Sequence, residues 1–475
     1  MEKQKIGFFF GAGAEVCYGL PSGAEFAGML LDCSEKETYK TAKENFEKFT
    51  GKKYGSFSKI SSEDFQKITE SMVRNKEKEL IKLFLDSDKE FEDNHRERQP
   101  VSIFQASLEN SYSLSDFPKF YLISEVIKQN KTKEPDEKDS SNIDLLVKFN
   151  LSIVFFLFGK HFLRNVNKEI FTEDVLSSFE GAADFFSLEK QKAPRISGEL
   201  FGILKEYNDK KEKNPFFYEL AFFTKSLLNK CIDYQFLFEK FDSLFYPDRN
   251  KSQFLRIASL LFVMRQIIDQ QTVKCKKLPE NKTGSYYEDI TSGKYVTPDD
   301  TVVCTTNYSP FCEIFFGKRN VFYLNGKTDC FFDISGKRIV ENISEPLKDK
   351  LLVPFIFPQV DMKPIMYFDV VKKYALAYES LRNCSKIIVL GFGFQKDDNL
   401  LNGMFRNLLE DNKDLRIVYF HYISDENIKD ACEKKKNELI ERLCISDEAK
   451  KERFLVLPIT GSRMSNGKNW LEQLQ

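Results

Sequence analysis

Two short apolar runs, far apart along the chain, limit what it can fold into more than any other feature. Lys5–Gly13 (KIGFFFGAG) closes on a pair of glycines and continues to Gly19-Leu20-Pro21, while Thr301–Asn307 (TVVCTTN) leads to Tyr323-Leu324-Asn325-Gly326. Each reads as an apolar strand that ends in small or polar residues. That is the form taken where a nucleotide site is built at the carboxyl ends of parallel strands. If both strands belong to one sheet, most of the chain between them is an excursion away from it.

Composition narrows the class. At 475 residues with 42% apolar and 30% charged content, the chain is long and apolar enough for two or more cores. Lys plus Arg number 71 against 72 for Asp plus Glu, so no electrostatic footprint marks a nucleic-acid partner, and none is expected. The ten cysteines form no C-x-x-C pair, which predicts reduced, packed thiols and neither a disulfide framework nor a metal site. The apolar run before Gly11 is too short for a signal peptide. Leu145–Leu163, the most apolar long stretch, is broken by Lys148, Asn150, Lys160 and His161, which argues against a bilayer span. A cytoplasmic protein without membrane contact is expected.

Hydrophobic spacing changes along the chain. Phe254, Ile257, Ala258, Leu261, Met264 and Ile268 recur at helical steps, as do Phe120, Ile123, Val126 and Ile127, and such stripes face a core. Charged, core-poor passages at 129–142, 207–215 and 270–300 read as exposed connections, the last as a domain junction. Beyond it, β-branched or aromatic runs at Thr301–Thr305, Val321–Leu324, Lys386–Leu390, Leu415–His421 and Phe454–Pro458 alternate with helical spacing at Met366–Arg382 and Asn399–Leu409. Alternation of this kind predicts an α/β fold, a parallel sheet covered by helices. The expected organisation is a first strand and helix (1–32), an all-helical insertion (33–297) and the remainder of the α/β domain (298–475). No internal repeat interrupts that plan.

The glycine motif permits two readings. Gly11 and Gly13 after a strand allow close backbone approach, and N–H groups at the next helix start attract a pyrophosphate. G-A-G without a third glycine is equally the form of an ordinary strand-to-helix turn. Ser22 and Glu25 fit the capping box S-x-x-E and are read as a helix start. A carboxylate at Glu15 opposes phosphate yet accepts hydrogen bonds from a ribose, or else it is a solvent-facing acid at a helix N-terminus. Asn307, ending Thr305-Thr306-Asn307, can donate and accept at once, which suits a ribose or a carboxamide; an Asx-turn before Pro310 is the alternative.

Taken together, Gly11-Ala12-Gly13, Gly19-Leu20-Pro21, Thr305-Thr306-Asn307, Leu324-Asn325-Gly326 and Ile387–Phe394 with Asp397 and Asn399 resemble the SIR2-like (sirtuin-related) family in its bacterial anti-phage defence branch. The likeness covers the N-terminus to about Leu31 and the chain from about Thr301 onward. It implies a Rossmann-like parallel sheet split by the helical insertion, with NAD as substrate and Gly11 and Gly13 against the pyrophosphate. Ala12, Leu20, Pro21, Thr305 and Thr306 belong to the binding motifs, Asn307 stands at the nicotinamide ribose, and Gly391, Gly393, Asp397 and Asn399 lie on the adenosine side. It also implies NAD hydrolysis that depletes the cofactor in abortive infection, with a phage-derived trigger and a homo-oligomer or a complex with a second defence protein.

Two departures bear on the chemistry. The family's general-base histidine is replaced by Asn325, and an amide takes no proton near neutral pH. The zinc cysteines of the deacylating members are missing, which argues against protein deacylation. Nicotinamide leaves as a neutral molecule, so positioning by Asn307 and Asn325 can still serve cleavage, with Glu15, then Asp329, then Asp397 as the carboxylate that assists. Asn307, Asn325 and Asp329 are the expected catalytic set. His95, His161 and His421 read as structural. The alternatives are a catalytically silent nucleotide-binding sensor or scaffold and an N-glycosidase acting on another nucleotide.

Overall fold

The computed structural model describes residues 5–32, 37–54, 60–76, 215–234, 241–276, 284–297, 300–318, 321–358, 367–395, 398–423 and 428–474, with single positions between 80 and 204 and at 363 and 365. Six strands form one wholly parallel sheet: β1 (Lys5–Phe10), β2 (Thr301–Thr305), β3 (Val321–Tyr323), β7 (Cys384–Leu390), β8 (Arg416–Tyr422) and β9 (Phe454–Ile459). They lie in the order β3-β2-β1-β7-β8-β9. Numbered along the chain within this sheet, that is 3-2-1-4-5-6, compatible with a Rossmann-like core. The strand order reverses between β1 and β7, the place at whose carboxyl ends doubly wound sheets take their ligands.

The three phenylalanines of β1 show why this strand is central. Alternation sends Phe8 and Phe10 to one face, where they pack with Tyr287, Val303, Ile388 and Trp470. Phe9 faces the other way, against Phe392 and Phe405 with ring centroids 4.9 Å away in each case. All three are fully buried, each worth about 2–3 kcal/mol of apolar transfer. A strand apolar on both faces is stable only with helices covering both sides.

A second sheet, not foreseen in the sequence, follows β3. Strands β4 (Gly326–Asp333), β5 (Arg338–Val340) and β6 (Leu352–Ile356) pair antiparallel in the order β5-β4-β6. The helix Lys251–Lys276 packs on β4 and β6, burying the stripe from Phe254 to Ile268 that helical spacing predicts. Phe49 stacks on Phe331 at 4.7 Å and joins the same layer.

The chain divides into two compact units. The first, Met1–Ser22, Lys40–Lys59 and Leu237–Gln475, contains both sheets; the second comprises Gly23–Tyr39 and Ile60–Phe236. These borders differ from the expected 32/33 and 297/298. The helix Gly23–Asp32 groups with the second unit, whereas the segment from Leu237 to 297 belongs with the sheets because its apolar face packs on β4 and β6. The described residues of the second unit are helical wherever they lie in regular structure. Its segments Gly23–Asp32, Ser62–Asn75 and Pro215–Lys230 surround buried Leu30, Phe65, Leu220 and Leu227. Ile123 and Val126 are buried there, and Phe120 and Ile127 fall outside the described residues.

The expected junction at 270–300 is corrected in part. Tyr286–Thr291 is a short helix whose Tyr286, Tyr287 and Ile290 are buried in the core, and Ser285 caps it by accepting from the Glu288 N–H at 3.1 Å. Short apolar elements like this one acquire burial from tertiary contacts and leave no period in the sequence. No described helix is long and apolar enough to cross a membrane.

Contact between two turns holds the sheet's switch point. The Gly11 N–H donates to Leu390 O at 2.9 Å and the Gly13 N–H to Gly391 O at 3.1 Å. A Cβ on Gly391, where φ is +67°, would lie 2.2 Å from the Ala14 nitrogen, and one on Gly13 would lie 2.7 Å from the Gly391 Cα. Gly391→Ala is therefore expected to destabilise the sheet unit by roughly 3 kcal/mol or more, combining left-handed strain with overpacking. Gly467→Ala, with φ of +77° and nothing within 4 Å, is expected to lose only about 1 kcal/mol. Urea unfolding of both variants checks this; equal losses would contradict the nested turns.

Candidate functional site

At the carboxyl ends of β1, β2 and β7 the turns of Gly11, Gly13 and Gly391 meet the Asn307 side chain. After β1 the chain makes two tight 3₁₀ turns, Ala12–Ala14 and Val16–Tyr18, and leaves through Gly19 at φ +88°. Ala12 and Gly13 are exposed, and Gly11 is buried. The Asn307 side chain reaches across from the end of β2 and donates from Nδ2 to Gly11 O at 3.1 Å. Its own N–H donates to Thr305 Oγ1 at 3.0 Å, a turn closed by the Thr305 hydroxyl and not the Asx-turn expected at Asn307, whose amide spans two strands instead. The Thr306 N–H donates to Phe10 O at 3.0 Å, securing β2 to β1 at the same level.

Asn325 follows β3 as Asn307 follows β2. Thr305 pairs with Tyr323, and the Leu324 N–H donates to Thr305 O at 2.9 Å, so the two strand ends run on side by side. Asn325 is buried, and its Oδ1 has no hydrogen-bond partner among the described residues. An orphaned buried acceptor loses about 1–3 kcal/mol of hydration, which a ligand donor would restore. The glycine of the Leu-Asn-Gly motif has a structural cause. Gly326 adopts φ of +91°, and a Cβ there would lie 1.8 Å from Phe355 O, where β6 crosses.

Glu15 is not the solvent-facing acid of one expectation. It is 2% exposed, lodged under the turn, and accepts from Tyr287 Oη at 3.0 Å and from Ser309 Oγ at 2.8 Å. Burial pushes its carboxyl up from 4.5 to about 7, against the lowering effect of hydrogen bonds from Ser309, Tyr287 and Asn307. A buried carboxyl that titrates near neutrality has a form suited to proton exchange or switching. Tyr287 and Ser309 were not read from the sequence. The S-x-x-E start at Ser285–Glu288 is the signal that would have placed a helix, and hence Tyr287, there.

The remaining expected residues separate into groups. Leu20 is buried in the apolar core with Phe8 and Phe10, Pro21 is half-buried, and Thr305 Oγ1 donates to Phe10 O at 3.2 Å. Gly391 packs against the backbone of Gly13 and Ala14, and Gly393 accepts from Arg442 Nη1 at 2.8 Å through its carbonyl. Asp397 lies outside the described residues. Asn399 is exposed at the start of the helix Asn399–Asp411 and lines a shallow groove with Tyr374, Tyr378 and Met404. Asp329 pairs with Lys327 at 3.1 Å on β4 and hydrogen-bonds neither asparagine.

Next to Asp397, Asp398 is buried and pairs with the buried Lys363 at 3.3 Å, a contact the sequence did not announce. His421, at the end of β8, is lowered by burial and then by the neighbouring Lys435. His95 and His161 lie outside the described residues. Among the described residues no group of three or more His, Cys, Asp or Glu side chains could hold a metal ion.

No protein-family model matches the chain, and no curated protein sequence matches it.

The raised carboxyl of Glu15 makes stability depend on pH. Between pH 4.5 and about 7 the folded chain holds a proton that the unfolded chain has released, so stability falls as pH rises through this window. By pH 8 the loss is expected to reach about 3 kcal/mol, and Glu15→Gln should abolish that part of the slope. Urea midpoints from pH 4.5 to 8 test it, and an unchanged slope in the variant would remove Glu15 as the cause.

Proposed function

We propose that the crevice at the sheet's switch point binds NAD and that the chain is a SIR2-like NAD glycohydrolase of anti-phage defence. The observation that carries this reading is the convergence of the Gly11–Gly13 turn, Gly391, Asn307 and Asn325 at the carboxyl ends of adjacent parallel strands. Ligands of doubly wound sheets bind at that place. Fit to a dinucleotide is supported by the exposed Ala12-Gly13 backbone, which leaves room for a pyrophosphate, and by the orphaned Asn325 Oδ1, which needs a donor such as a ribose hydroxyl.

In the proposed reaction the bond between nicotinamide nitrogen and ribose C1′ breaks and water adds at C1′. The products are nicotinamide, ADP-ribose and one proton released to solvent. Asn307 and Asn325 hold the ribose and exclude random water, so the work of the site is orientation and stabilisation of positive charge on the sugar. Neither amide takes the proton, in keeping with the loss of the family histidine at Asn325. Asp329, paired with Lys327, is left out of the mechanism.

Loss of that histidine also favours the second reading, a nucleotide-binding sensor without turnover. Purified protein incubated with NAD, alone and with phage-infected extract, is expected to release nicotinamide and ADP-ribose. Asn307→Ala should lower kcat/KM about 100-fold, as removal of a positioned polar contact does. If NAD binds and no condition gives turnover, the sensor reading replaces hydrolysis.

A further inference from the structure

Asn325 keeps a buried side-chain oxygen without a partner among the described residues, and the segment that carries it is nevertheless held fast. Left to itself, such a segment would shift until the oxygen met a donor. Two hydrogen-bond routes that prevent this lead to one residue. Asn325 O accepts from the Phe357 N–H at 2.8 Å, and Phe357 O accepts from the Tyr308 hydroxyl at 2.7 Å. On the other side, the pairing of β4 with β6 shifts register between Gly326 and Phe331, and in that stretch the Thr328 N–H donates to Tyr308 O at 3.2 Å. Tyr308 thus grips the Asn325 segment twice, once with its side chain and once with its backbone, and the next residue back along the chain is Asn307. Arg265 completes the bracing: its Nε donates to Thr328 O at 2.6 Å, and its guanidinium lies over the rings of Phe49 and Phe331.

We propose that Tyr308 is a positioning residue that fixes Asn325 relative to Asn307 and so keeps the Asn325 side-chain oxygen available to a ligand donor; its bearing on a ligand rests on the nucleotide-site reading above. An unpartnered acceptor binds a hydroxyl well only while its own chain is kept from relaxing, and a supporting layer of hydrogen bonds supplies that restraint. Replacement of Tyr308 by Phe keeps the ring and the carbonyl that holds Thr328, and removes only the bond to Phe357 O. Phe357 is fully buried, so its carbonyl is then left without that donor, and the chain after β6 is free to move together with Asn325 O. The two amides, which follow the neighbouring strands β2 and β3, no longer keep one spacing. Tyr308 itself touches no substrate; it acts through Phe357 and Asn325.

The test is a double-mutant cycle read with ADP-ribose, which carries the ribose hydroxyls and is not hydrolysed. Its Kd is measured calorimetrically for the full chain, for Tyr308→Phe, for Asn325→Ala and for the double variant, with urea midpoints recorded alongside. Tyr308→Phe is expected to weaken binding about fivefold to tenfold, the effect of one hydrogen bond. In the Asn325→Ala background the same change should alter Kd by less than about twofold, because the oxygen it positions is gone. A residue with a purely structural role would weaken binding equally in both backgrounds. Hydrogen exchange in the wild-type chain gives a second reading that serves even where a variant fails to fold or to bind: ADP-ribose should slow exchange of the Phe357 and Thr328 amides about tenfold. Equal losses in the two backgrounds, a wild-type Kd in Tyr308→Phe, or exchange at both amides unchanged by bound ADP-ribose overturns the role of Tyr308 while leaving the nucleotide site standing. Failure of both ADP-ribose and NAD to bind the wild-type chain overturns the site itself, and the positioning role with it.

Discussion

The nesting of two glycine turns at the centre of the sheet is the contact on which the rest of the site depends. β1 and β7 are neighbours, and their carboxyl-end turns share one small volume. Gly11, Gly13 and Gly391 fill it with backbone alone. The same arrangement positions the Gly11 carbonyl, which accepts from the Ala14 N–H at 3.0 Å to form the turn and from Asn307 Nδ2 at 3.1 Å to anchor β2's amide. A side chain at any of these glycines would push the turns apart and carry Gly11 O away from Asn307. The glycines thus have a packing cause that holds whether or not a phosphate ever lies above them.

Glu15 is the point at which local chemistry runs against stability. The buried Asp333 faces Lys350 at 3.2 Å and Arg338 at 3.5 Å, and Asp398 faces Lys363. Glu15 is surrounded instead by hydroxyls and aromatic rings, with Tyr18 against Tyr287 at 5.5 Å and against Phe311 at 5.0 Å. A buried carboxyl held only by neutral donors destabilises its charged form, an inconsistency of the kind that functional sites tolerate. The C-terminal segment supports this wall at one remove. Trp470 Nε1 donates to Asp289 at 2.8 Å and Arg463 Nε to the same carboxylate at 2.7 Å, which secures the short helix that carries Tyr287.

Much of the parallel sheet was legible because each of its strands is a compact apolar run bounded by turn residues. The expected Thr301–Thr305 and the observed β2 coincide, and the other sheet strands after it agree to within one or two residues at each end. The antiparallel strands β4–β6 were not legible. β4 and β6 are buried by a helix from a distant part of the chain, so neither alternates in the way an exposed-edge strand does. Tyr287 and Ser309 escaped for a related reason. A six-residue helix and a lone serine have no periodicity, and only their approach to Glu15 gives them meaning.

By itself the sequence determined the strands, the glycines that let turns approach, and the amides at the ends of Thr301–Asn307 and Tyr323–Gly326, because those properties reside in short contiguous segments. Tertiary structure alone decided that β1 and β7 lie side by side, that Asn325 keeps a buried oxygen without a partner, and that Glu15 turns inward to meet Tyr287 and Ser309. Burial and hydrogen-bond partnership depend on residues hundreds of positions away, and no local pattern encodes which of them will arrive.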